Sequence, residues 1–143
     1  MIDLNKAIIN IKTSQTDINT KEEDVIELIT EGKFYKKNES YYLVYDESEI
    51  SGMEGTTTTL KIIDEKVHLR RLGNNSSLME FEKGKRYRSQ YKTPYGNMMM
   101  EMLTTNVNIF INENPFEIDI KIDYEILIKN MFEGKNSMRI TVK

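Results

Sequence analysis

From Phe116 to Ile128 every second residue is large and apolar: Phe116, Ile118, Ile120, Ile122, Tyr124, Ile126 and Ile128. Between them stand Glu117, Asp119, Lys121, Asp123, Glu125 and Leu127. Successive side chains of a strand point to opposite faces, so only an extended chain puts such a set on one side. At about 3.3 Å per residue the stretch spans roughly 43 Å, about twice a usual strand. A strand that long must bend, and the sheet around it must curve with it.

A chain of 143 residues predicts one domain, residues 1–143, with one core. The hydrophobic fraction is 38% and the charged fraction 30%, which suits strands with one apolar face each. The net charge of −3 argues against a dedicated polyanion binder. There is no cysteine, which excludes disulfides and thiolate chemistry. The N-terminal Met1-Ile2-Asp3-Leu4-Asn5-Lys6 lacks a basic region followed by an apolar run. No window approaches the roughly 18 apolar residues of a membrane span. The expectation is a cytoplasmic protein with no membrane partner.

The rest of the chain is cut into short apolar stretches by turn residues. Lys6–Thr13 alternates Ala7, Ile9 and Ile11 against Lys6, Ile8, Asn10 and Lys12. Thr20–Gly32 carries a helix-type cap, Thr20 with Glu23, but Val25–Thr30 is rich in β-branched residues, so a strand is expected there, with a turn at Gly32. Asn38–Ser40, Gly52 with Gly55, Asp64-Glu65, Gly73–Asn75, Lys83-Gly84, Pro94–Gly96, Asn112–Pro115 and Gly134–Asn136 each precede a further strand. About ten strands with short links and no long helical period predict an all-β antiparallel meander. Closing it into a barrel of eight to ten strands removes the two sheet edges; the alternative is a β-sandwich. The expected core face joins Ile9, Ile11, Leu43 and Tyr45 (or Tyr42 and Val44), Leu60, Ile62, Val67, Leu69, Met79, Phe81, Tyr87 and Tyr91 to the even positions of the long strand and to Met138, Ile140 and Val142.

Several local patterns coincide in order and spacing. They are Gly55–Ile62, Val67–Gly73, Met79-Glu80-Phe81 with Gly84, Tyr91–Gly96, the strand centred on Tyr124, and Met138–Val142. Together they resemble the YwiB-like family of small Firmicute proteins of unknown function, described as calycin-like β-barrels. The resemblance implies an up-and-down barrel related in shape to lipocalins. It brings no activity and no catalytic residues. The turn Asn112–Pro115 departs from it, since a glycine is expected there.

The candidate chemistry is sparse. His68, the single histidine, lies between Val67 and Leu69 and is expected on the outer face, with no second histidine or cysteine to share a metal. Asp46, Glu47, Glu49 and Glu54 flank the loop Ser48–Gly55; their spacing is not that of a calcium loop, and a solvated acidic loop is expected. No phosphate loop and no nucleophile–base set is recognisable, so neither enzyme nor cofactor is expected. Lys83, Lys85, Arg86, Arg88 and Lys92 alternate with Tyr87 and Tyr91. Basic and aromatic residues together suit single-stranded nucleic acid, but here they fall on opposite faces. A basic stripe paired with acidic neighbours, such as the odd positions of the long strand, is simpler. Met98, Met99, Met100, Met102 and Leu103 make both faces of one strand apolar, as a strand covered on both sides or a cavity lining would be; the outer cover would be an N-terminal segment or a second copy of the chain in a homodimer. Arg71 shares its face with Val67 and Leu69, so it is expected inside, where it needs a carboxylate or an anionic ligand.

The leading expectation is a non-enzymatic protein holding a small apolar or amphipathic ligand through Arg71, Tyr87, Tyr91, Met100 and Met102. The alternative is a nucleic-acid or protein interaction module using Lys85, Arg86, Arg88 and Lys92.

Overall fold

A computed structural model describes residues 5–48 and 53–143. The strands are β1 (Asn5–Asp17), β2 (Glu23–Lys37), β3 (Ser40–Asp46), β4 (Thr56–Ile63), β5 (Lys66–Gly73), β6 (Ser77–Phe81), β7 (Arg86–Thr93), β8 (Gly96–Glu113), β9 (Phe116–Ile128) and β10 (Phe132–Val142). All pair antiparallel in one ten-stranded sheet of order β6-β5-β4-β3-β2-β1-β10-β9-β8-β7. The first and last strands therefore meet in its middle, with Ile9 opposite Val142 and Ile11 opposite Ile140. The sheet rolls into a nearly closed barrel. At its seam β6 and β7 are joined by a single bridge, Ser76 to Lys92, whose two backbone hydrogen bonds are both 2.9 Å.

The long strand keeps its expected bounds, and its even positions from Ile118 to Ile126 are buried. The bend it requires is shared with β8. There Thr105 is an extra residue, and the pairing with β9 shifts between Thr104 and Asn106. Such a bulge kinks a strand and swaps which residues face inward. Met100, Met102 and Thr104 point in before it, and Val107, Ile109 and Ile111 pack against the core after it. The methionine run thus belongs to one unbroken strand that continues through Glu113.

Two expected turns are absent. β2 runs straight through Gly32, and β10 runs through Gly134 and Asn136. Both glycines answer to close packing instead of reversal. A Cβ on Gly32 would lie 2.5 Å from Ile9 Cδ1 and 2.7 Å from the Val44 carbonyl oxygen; one on Gly134 would lie 2.5 Å from the Thr16 carbonyl oxygen. The reversal before β10 is made at Asn130, whose φ of 64° is in the left-handed region that asparagine tolerates.

Inward-facing residues stack in transverse rows. Tyr41, Ile62, Val67 and Phe81 form one, Leu43, Leu60, Leu69 and Met79 the next, and Tyr45, Thr58, Arg71 and Ser77 a third. The first two fill the barrel with apolar bulk; the third is polar. At the end beyond the first row, Phe34 meets Phe116 with ring centroids 4.2 Å apart and Tyr41 at 5.7 Å. The Tyr41 hydroxyl donates to Glu113, which also binds Lys36 Nζ at 3.2 Å.

Candidate ligand cavity

The opposite end is hollow. A cavity of about 300 Å³ lies inside the barrel, walled by Ile11, Leu28, Leu60, Leu69, Met79, Met100, Ile126, Met138 and Ile140. An eight-stranded barrel is just filled by its own side chains, and diameter grows with strand number. Ten strands leave room wherever the inward residues are small.

Polar groups enter from two walls. On the first, Glu47 continues the inward parity of Leu43 and Tyr45 past the end of β3. Its backbone N–H donates to the Thr56 carbonyl at 2.8 Å, which holds it in line. The expectation that Glu47 belongs to a solvated acidic loop is wrong: the residue is 8% exposed and lines the cavity. Burial raises its pKa, while Arg71 and the hydroxyls of Tyr45 and Thr58 pull it back. The other acids of that group differ. Asp46 is exposed and accepts from the Thr57 hydroxyl at 2.9 Å, Glu54 is exposed, and Glu49 lies outside the described residues. No group of metal-binding side chains occurs among the described residues.

The facing wall carries a second polar row, Thr104, Tyr124, Asn136 and Gln15, on four adjacent strands. Asn136 Nδ2 donates to the Tyr124 hydroxyl at 3.2 Å. Burial raises the Tyr124 pKa; Asn136 and the charge of Arg71 act against it. Arg71 is thus felt on both walls. Among the described residues, Glu47 Oε2, Arg71 Nε, Thr58 Oγ1, Thr104 Oγ1 and Asn136 Oδ1 are buried without a hydrogen-bond partner. Of these, Glu47, Arg71 and Asn136 line the cavity, and buried polar atoms are normally paired.

Of the five residues singled out for a ligand, the fold brings Arg71, Tyr91 and Met100 to the cavity. Tyr91 accepts a hydrogen bond from Asn75 Nδ2 at 3.3 Å and also borders an open pocket with Pro94, Tyr95 and Met131. Tyr87 and Met102, opposite one another in register, lie outside the lining. Reading the residues in order missed Glu47, Tyr45 and Asn136. A two-residue step from Leu43 finds the first two. Asn136 was hidden by the expected turn at Gly134.

The basic stripe sits as its alternation implied: Lys85, Arg86, Arg88 and Lys92 are exposed, and Tyr87 and Tyr91 turn inward. Its acidic partner is not the long strand, because β7 pairs with β8. Glu101 on β8 takes Arg86 at 3.3 Å and Arg88 at 3.5 Å. The long strand's Asp119 instead binds Arg139, at 2.9 Å. His68 is half-buried, level with Lys61 and Glu80. No helix among the described residues is long and apolar enough to cross a membrane.

The chain is similar to the ywiB protein from Bacillus subtilis, whose crystal structure superposes with a TM-score of 0.84 over 98% of this chain and 92% of that one, at 22% identity. At that identity the likeness speaks for the fold alone. Comparison with curated proteins finds no match. Residues 9–140 match the model of a family described as a domain of unknown function, DUF1934. With nearly the whole chain matched and the same barrel in a solved structure, this chain belongs to the DUF1934 family.

Proposed function

We propose that this protein is a non-enzymatic binding protein that holds a small amphipathic molecule inside its barrel. The observation that carries this reading is the cavity of about 300 Å³, apolar over most of its wall and furnished with Arg71 and Glu47 at one end. Ligand sites are typically apolar concavities with a few placed polar groups, and this volume is at their small end. Tyr91 lines both this cavity and a neighbouring open pocket. The interaction-module reading is the weaker one: the tyrosines that would stack on bases face inward, and Arg86 and Arg88 already share Glu101. The test is native mass spectrometry of the protein purified from its own host, with titration by a hydrophobic fluorescent probe. A carried mass released on gentle activation, or a saturable blue-shifted signal, is expected. A bare chain that also leaves the probe unbound overturns the reading.

A further inference from the structure

We propose that the ligand is a carboxylate-bearing amphiphile of about ten non-hydrogen atoms, its head group seated between Arg71 and Glu47 with one proton held between the ligand carboxyl and Glu47. This rests on the binding reading above and specifies the chemistry of the same site.

The geometry of the two charges comes first. Glu47 follows β3 and Arg71 lies on β5, with β4 between them. Two inter-strand steps and a two-residue offset along the strands separate their backbones by roughly 12 Å. No ion pair joins them, although each acts on its neighbours: Arg71 pulls on the Glu47 and Tyr45 acids from within the same cavity. Between them, level with Arg71, stands Thr58. An acceptor, Glu47 Oε2, and a donor, Arg71 Nε, are therefore buried beside the same cavity without a hydrogen-bond partner. Leaving such atoms unmatched is costly, and a ligand group that meets both recovers that cost.

The sign pattern selects the head group. An amine would satisfy Glu47 and be repelled by Arg71. A carboxylate suits the guanidinium, whose planar fork matches it in shape and charge. Its second oxygen then faces Glu47. Two adjacent carboxylates cannot both stay ionised in a buried site, so one proton must lie between them. The other groups lining the cavity leave that proton to Glu47. β4 brings only Leu60 to the lining, and burial raises the pKa of the phenols Tyr45 and Tyr124 further.

The size follows from the volume. A cavity of about 150 Å³ holds benzene, so 300 Å³ holds about twice as much. Leu69, Met100 and Met138 face the ligand body, and the methionines adapt to its outline. A long-chain fatty acid does not fit.

The test is titration calorimetry with octanoate and with octanol, at about pH 6 and about pH 8, in two buffers of different ionisation heat. Octanoate is expected to bind the wild-type protein with uptake of about one proton, its affinity falling by up to about tenfold per unit rise in pH. Glu47→Gln, whose amide donates at any pH, is expected to bind octanoate without that pH dependence. Arg71→Met is expected to weaken octanoate at least tenfold and octanol about twofold or less. Circular dichroism checks that both variants fold, and the wild-type pH dependence stands without them. Octanol binding as tightly as octanoate, or octanoate binding without proton uptake, overturns the carboxylate assignment and leaves the binding reading in place. Failure of both ligands at both pH values overturns the two together.

Discussion

At one end of the barrel, β2 and β3 present Phe34 and Tyr41 to Phe116, and the interior is solid. At the other, four residues further along the same β3, Tyr45 and then Glu47 face a void. Both ends are made by the same strands and, the bulge in β8 apart, with the same inward parity. The difference lies in what occupies the inward positions. Towards the solid end they are Ile9, Ile62, Phe81, Ile118 and Val142, all fully or almost fully buried. Towards the hollow end they include Thr13, Gln15, Thr58, Ser77 and Asn136. A barrel of this strand number is hollow by default and is filled only where aromatic and long aliphatic side chains reach across. The solid half anchors the structure; the other half keeps a space that its own side chains do not use.

That contrast is sharpest on a single strand. Ile118 and Ile126 both point inward from β9, the first into the solid half and the second at the cavity wall. Ile118→Ala is expected to cost about 4 kcal/mol in chemical denaturation, and Ile126→Ala about 2 kcal/mol, because a side chain beside a void has fewer partner atoms to lose. Equal losses would mean that the two halves are packed alike. Gly32→Ala tests the wall itself and is expected to cost about 2 kcal/mol, since the Val44 carbonyl cannot yield without moving β3.

A smaller effect separates the halves by pH. Glu47 has a raised pKa, so the folded state holds its proton more tightly than the unfolded chain does. Its contribution is most favourable below the ordinary value of 4.5 and declines as pH rises through the folded value. Glu47→Gln is therefore expected to gain stability relative to wild type on going from acid to neutral pH, read from paired melts. The smallest effect belongs to the outer surface. Hydrogen bonding to Arg139 lowers the Asp119 pKa, so this pair stabilises above about 3.8 and is lost as pH falls through the folded value. Both side chains are partly solvated, and Arg139→Ala is expected to shift the melt at neutral pH less than any of the other changes.

Much of the solid half was legible in the sequence. Period-two alternation placed β9 to the residue and put Leu60, Leu69, Met79 and Ile140 inside, because hydrophobic burial acts on each strand locally, while on β3 it left Leu43 with Tyr45 and Tyr42 with Val44 as alternatives that the fold decides for the first. The errors came where a residue has two physical uses. Glycine serves reversal and close approach alike, so Gly32 and Gly134 read as turns although they sit where neighbouring chains crowd the strand. Glutamate is usually solvated, so Glu47 read as part of a loop although its parity aimed it inward. The cavity had no local signature. It depends on which side chains from distant strands fall level with each other, and that is set by register and by the bulge at Thr105.

The place of β10 has a further consequence. It is the last of the described strands in sequence order. Here it is flanked on both sides, by β1 and by β9, in the interior of the sheet order. A premature stop just before Phe132 would remove no edge. It would strip β1 and β9 of one partner each, open the barrel across its middle and expose two fresh rows of backbone donors and acceptors to any other strand that could pair with them.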